Sequence, residues 1–239
     1  MTDSALDTGR HRSKRRRFVP LVWVSGVAAA GLLALGVSGT LSGWTSAIIN
    51  NNTNTVASGN AVVLQETGPT GIASPTSATC YSTDGSQTTI NSSVCSTINK
   101  YGGVTTPLTP GANQTADVTF TNVGSEAGST FKLTPGACSQ TPTAGTGTPV
   151  NPANLCTNGD LTVALSCSAG ATYVSGSAFT DLVFAAAKPS TFSPVLTHAT
   201  GIAKNASVTC RFTLALSTTA SPLDGGIIVS QGLVWELDQ

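Results

Sequence analysis

Six cysteines carry the clearest chemistry in this chain: Cys80, Cys95, Cys138, Cys156, Cys167 and Cys210. An even number can close as disulfides or, as thiolates, bind a metal. A metal site draws on close pairs such as Cys-x-x-Cys and on histidine. The sequence has no such pair, and His198 is its one histidine beyond the basic N-terminal stretch. Disulfides are therefore expected and no metal. Six cysteines allow many connectivities. Short loops favour Cys80–Cys95 and Cys138–Cys156, which leaves Cys167–Cys210. Each bridge stabilises by about 2–4 kcal/mol through the entropy of the unfolded chain.

Other reactive residue types are sparse. A hydrolytic triad or a zinc site has little beyond His198 to draw on, and there is no His-Glu-x-x-His. Asp160, Asp181, Asp224, Glu236 and Asp238 are scattered, and their spacing fixes no acid–base pair. No run of aspartates has calcium-loop spacing. Trp44 and Trp235 could stack on a sugar, but a strand tryptophan more often serves a core or an interface. The expectation is a protein with no catalytic residue and no cofactor.

The N-terminus explains where disulfides would form. Residues 1–17 form a basic n-region, with Arg10, Arg12, Lys14, Arg15, Arg16 and Arg17. Residues 18–41 are apolar and uncharged, and small residues follow at Thr40, Ser42 and Gly43. This is the layout of an export signal, an apolar helix removed by signal peptidase near Ser42. The same run is long enough to span a bilayer if retained, and the basic flank would keep its N-terminus inside. A membrane contact is thus expected only through this segment before cleavage. Arg15-Arg16-Arg17-Phe18-Val19 leaves general and twin-arginine export both open.

Removing the leader changes the charge. After it, five cations (Lys100, Lys132, Lys188, Lys204, Arg211) face nine acids, a balance of −4 from 5 − 9. No basic patch remains to track a phosphate backbone, so nucleic acid is excluded as a partner. Asn51, Asn91, Asn113 and Asn205 each begin an Asn-x-Ser/Thr triplet. In a chain this rich in Asn, Ser and Thr they read as composition.

The elements that must position these residues are strands. In Thr115–Thr121, Ala116, Val118 and Phe120 share one face and threonines with Asp117 the other, the period-two mark of a half-buried strand. Thr130–Thr134 alternates again and is expected to end at Pro135-Gly136. Leu161, Val163, Leu165 and Cys167 share a face, as do Val208, Cys210, Phe212, Leu214 and Leu216. A bridge between these two strands in a sandwich core is the most specific disulfide expectation. In the last element, Gly226 to about Leu237, Leu233, Trp235 and Leu237 face together. Asn60–Gln65 reads as a short strand stopped by Gly68-Pro69. Residues 67–79 and 137–152 read as loops, and 80–95 as a stapled excursion. Phe179, Leu182, Val183 and Ala186 have helical spacing behind a Ser177 cap, so a short helix is expected there.

Three stretches together resemble the TasA/camelysin family of secreted bacterial surface and biofilm-matrix proteins. They are Gly39-Thr40-Leu41-Ser42-Gly43-Trp44 leading to Ala57–Leu64; Leu108–Thr115 followed by Val118–Ser125; and Asp224-Gly225-Gly226 followed by Ser230-Gln231-Gly232 and Trp235. The resemblance implies a jelly-roll-like sandwich, export through a dedicated signal peptidase and, in some members, assembly into fibres. The six cysteines and the long segments 67–107 and 137–158 depart from the family pattern.

The expectation is an all-β, two-sheet antiparallel sandwich over residues 43–239, with an N-terminal extension at 43–59. The protein is expected at the bacterial cell surface or in the matrix, self-associating as a homo-oligomer or fibre. Its assembly segment would be Trp44, Ile48, Ile49, Val62 and Leu64, donated to a neighbour's sheet edge by strand addition. A monomeric adhesin or carbohydrate-binding module is the alternative.

Overall fold

Alternating side chains that are apolar on one face only must bury that face against a second layer, and two sheets do so here. The computed structural model describes residues 46–50, 62–71, 74–85, 91–145 and 152–239, with backbone alone for 46–50, 74 and 75. The chain separates into two units, 1–41 and 42–239, and every described residue lies in the second. The expected export signal with its apolar helix, and the residues Thr40, Ser42, Gly43 and Trp44, therefore lie outside the described residues. No helix among those described is long and apolar enough to cross a membrane.

Eleven strands follow in order: β1 Ser46–Asn50, β2 Leu64–Gly71, β3 Ser74–Tyr81, β4 Ser92–Val94, β5 Asn113–Asn122, β6 Thr130–Thr141, β7 Leu161–Ala169, β8 Ala178–Ala187, β9 Leu196–His198, β10 Ser207–Leu216 and β11 Ile228–Asp238. They form a five-stranded sheet, β4-β1-β11-β6-β9, and a six-stranded sheet, β3-β2-β5-β10-β7-β8. All pairs are antiparallel except β1 with β4. The all-β sandwich expected from the sequence is the observed architecture.

The inward faces meet in one core. Val118 and Phe120 of β5, Val163, Leu165 and Cys167 of β7, and Cys210 and Phe212 of β10 come from one sheet; Phe131, Leu133, Leu233, Trp235 and Leu237 come from the other. The outward face of β5 and β10 is a polar ladder. Thr119 and Thr209 hydroxyls meet at 2.9 Å, Thr121 and Ser207 at 2.8 Å, and Arg211 donates twice to Asp117 at 2.7 Å. These exposed pairs fix register more than they add stability.

Four local expectations are corrected. The helix expected near 177–186 is the edge strand β8. Its partner β7 meets it with two register shifts, which break strict alternation and make period two resemble helical spacing. Leu182 points inward, Phe184 packs on Phe192 with centroids 4.6 Å apart, and Val183 faces solvent. The strand expected to stop at Gly68-Pro69 runs on to Gly71. Pro69 accepts from the Asn99 N–H at 3.0 Å, so its N side faces away from β3 and the ladder there lacks no donor. Much of the loop expected at 67–79 is paired strand, tied by Thr67–Thr79 and Thr70–Thr76 hydroxyl contacts. Finally, β6 passes through Pro135-Gly136 to Thr141, because the opposing β11 shifts register between Gln231 and Leu233 and absorbs the irregularity.

All three disulfides close with the pairing expected from the sequence: Cys80–Cys95, Cys138–Cys156 and Cys167–Cys210. The third joins directly opposed residues of β7 and β10, within one sheet. Such bridges are compatible with an oxidising, extracellular location.

Candidate functional site

The N-terminal strand defines the first site. Ser46–Asn50 pairs antiparallel with Asp238–Val234 of β11 and, through Ile48–Asn50, parallel with Ser92–Val94 of β4. Ile48 and Ile49 thus stand opposite Glu236 and Trp235 in register. Val62 and Leu64, the other end of the expected assembly segment, are fully buried core residues. Within one chain, β1 is neither a tail nor an edge. The terminal strand β11 is not a sheet edge: β1 lines one side and β6 the other. What holds β1 on the β11 side is backbone pairing, a recognition mode that works equally for a strand of the same chain or of a neighbour.

Trp235 is fully buried. Its ring lies 4.1 Å from Phe120, 5.4 Å from Phe131 and 6.3 Å from Phe212 by centroids. It is a core anchor, unavailable to stack on a sugar.

A cleft of about 600 Å³ opens at one end of the sandwich, lined by Val104, Leu108, Leu155, Leu216 and Ile228, with Gln114 and Asp224 among its polar groups. Asp224 belongs to a capping box at Pro222–Asp224, where Ser221 N–H donates to its Oδ2 at 2.8 Å. Asn158 bridges it to Asp160, donating at 3.2 and 2.9 Å. Burial raises the Asp224 carboxyl above its usual range, and Asp160 adds to that. The two acids are thus brought together, though spacing alone did not pair them. Their oxygens serve the cap and the turn. The other pair, Glu236 and Asp238, is engaged by Lys132, which contacts Asp238; Thr130 also donates to Asp238 at 2.8 Å.

His198 joins two other polar side chains. It ends β9, with Nδ1 at 3.0 Å from Asp181 of β8 and Nε2 at 2.7 Å from the Thr200 hydroxyl. Against a carboxylate the Nδ1–H donates, leaving Nε2 to accept from Thr200. Carboxylate, imidazole and hydroxyl stand in the order that activates a nucleophile. Here, however, the hydroxyl sits two residues along the same turn, closed by Gly201 N–H to His198 C=O at 3.3 Å. Phe179 covers the ring at 4.1 Å. We read the trio as a staple between β8 and β9. His198→Ala is expected to lower stability by about 1 kcal/mol or less, measured by urea unfolding, and to leave hydrolysis of a nitrophenyl ester at background. An ester activity lost with His198→Ala or Thr200→Val would instead make the trio catalytic.

Sequence reasoning missed one further cluster, a contact between Glu66 and Lys100, both buried. The signal was present: Val62, Leu64 and Glu66 alternate, which places a carboxyl on the buried face of β2.

No protein-family model, curated protein or solved structure matches the chain. The fold and site define its class on their own: a disulfide-stapled two-sheet β-sandwich whose N-terminal strand completes one sheet.

Proposed function

We propose that this is a secreted, non-catalytic structural protein of the bacterial cell surface or biofilm matrix, of the kind its resemblance to the TasA/camelysin family implies. Its copies assemble into fibres by exchange of the N-terminal strand. The observation that carries this reading is the pairing of Ser46–Asn50 with β11. A neighbour's copy of the segment can make the same backbone bonds, so exchange conserves the contacts and costs little. Each molecule then gives a strand to one neighbour and receives one from another. Such head-to-tail contacts need not close and propagate as a filament. The leader supports export, and the three disulfides suit an oxidising exterior.

The test is to purify the secreted form, sequence its N-terminus and view it by negative-stain microscopy, with and without residues 43–59. A start near Gly43, filaments from the intact form and none from the deletion are expected. A synthetic peptide of 43–59 should bind the deleted protein, which circular dichroism must show to be folded. Filaments that survive the deletion would sink strand exchange, and a start at Met1 would mean a retained anchor. Monomers throughout would favour a second reading, a binding module using the apolar cleft.

A further inference from the structure

Glu66 and Lys100 are charged types that a β-sandwich interior normally rejects. Glu66 is fully buried on the inner face of β2, opposite Phe120 of β5 and Cys80 of β3. Lys100 is 3% exposed. Its Nζ touches Glu66 Oε1. Yet neither carboxylate oxygen, nor Nζ, has a well-aligned hydrogen-bond partner among the described residues. An ion pair buried this deeply repays its desolvation only when its remaining lone pairs and protons are satisfied. Beyond their mutual contact, the two groups find no further side-chain or backbone partner among the described residues.

The surroundings hold the two groups together from both sides. Asn99 N–H donates to Pro69 C=O at 3.0 Å, laying 98–100 along β2. Ile98 packs so closely on Gly68 that a Cβ there would stand 2.9 Å from its Cγ2. Next to Lys100, Tyr101 donates its hydroxyl to Gln231 of β11 at 2.7 Å. The Cys80–Cys95 bridge anchors the same segment a few residues earlier.

We propose that Glu66 and Lys100 are a modification site, at which the two side chains condense into an intramolecular isopeptide bond. The Nζ lone pair attacks the Glu66 carboxyl carbon, forming the C–N bond. The carboxyl hydroxyl departs with one amine proton as water. Nothing is oxidised or reduced, and no co-reactant is needed. The reaction consumes the carboxylic acid form of Glu66, which carries no charge to desolvate and is favoured in a dry site. Burial indeed pushes the Glu66 carboxyl up, against the opposing pull of Lys100. Fixing the partners in contact supplies the entropic part of the barrier. The product, a neutral amide, replaces two ionisable groups in the core. It also locks β2 to the segment after Cys95, so a fibre subunit would keep that connection under tension even with its disulfides reduced.

Intact-mass spectrometry of the purified, fully reduced protein tests this without any variant. Once the N-terminus has been sequenced, the mass should be one water lighter than calculated. Trypsin should fail to cut between Lys100 and Tyr101. A chymotryptic digest, cutting after Tyr81 and Tyr101, should yield the Glu66 peptide joined to the peptide ending at Tyr101. Lys100→Met should restore the calculated mass even if it folds poorly. A wild-type mass with no water missing, or normal cleavage after Lys100, overturns the proposal. So does a deficit that persists in Lys100→Met, which would place the lost water elsewhere.

Discussion

Replacing Trp235 with alanine is expected to destabilise the fold by about 3–5 kcal/mol, the range for emptying a core aromatic site. For a domain of this size that lowers Tm by on the order of 10 °C. The physical basis is the position of the ring. It is fully buried on β11 and touches Phe120 of the opposing sheet, Phe131 of the adjacent strand β6, and Phe212 of β10. Three rings fixed in two sheets cannot collapse into the vacated volume without moving strands. Trp235→Phe is the informative control. The indole Nε1 is buried without a hydrogen-bond partner among the described residues. Phenylalanine removes that unsatisfied donor along with part of the volume, so its cost should be well below that of alanine. Calorimetry or urea unfolding reads both. A Trp235→Ala protein within about 1 kcal/mol of wild type would show that the two sheets do not close on this ring.

Substituting Cys167 and Cys210 together should have the second large effect. The bridge spans 43 residues, for which the chain-entropy relation gives about 4 kcal/mol. Cys80–Cys95 and Cys138–Cys156 close separations of 15 and 18 and are worth about 3 kcal/mol each on the same relation. Cys167 and Cys210 are also fully buried, while Cys138 lies on an outer stretch of β6, so the central pair adds a core defect when removed. The Tm of the Cys167→Ala/Cys210→Ala protein should therefore fall furthest of the three double mutants, by on the order of 10 °C. A loss no larger than that of either outer pair would mean that the β7–β10 ladder alone sets this register. If the Glu66–Lys100 bond forms, the Cys80–Cys95 pair should be missed less than its loop alone predicts, because a second covalent tie then encloses that loop.

Most of the sandwich was legible in the sequence where strands are half-buried on one side. In β5, β7, β10 and β11 a two-residue rhythm of apolar side chains survives, because each presents one face to the core along most of its length. Cysteine pairing was legible for a related reason: two loops are short, and the last two cysteines sit on inward faces. The rhythm fails at β3, where threonines and serines serve an edge strand through hydroxyl ladders. It fails at β8, where bulges shift the alternation, and at β2 and β6, where Gly-Pro and Pro-Gly look like stops but fall where the ladder lacks no N–H or is bulged.

The sequence by itself determined the class of fold, the face each regular strand buries and the distribution of charge, because these follow from local alternation and composition; it favoured one disulfide pairing, which the structure settled. Only the tertiary structure decided which distant groups meet. It set β1 beside β11, brought Asp181 to His198 and Asp160 to Asp224, enclosed Trp235 among three phenylalanines, and pressed Glu66 against Lys100. Such contacts join residues far apart along the chain. Strand order and register create them, and neither is encoded in the local rhythm of any one strand.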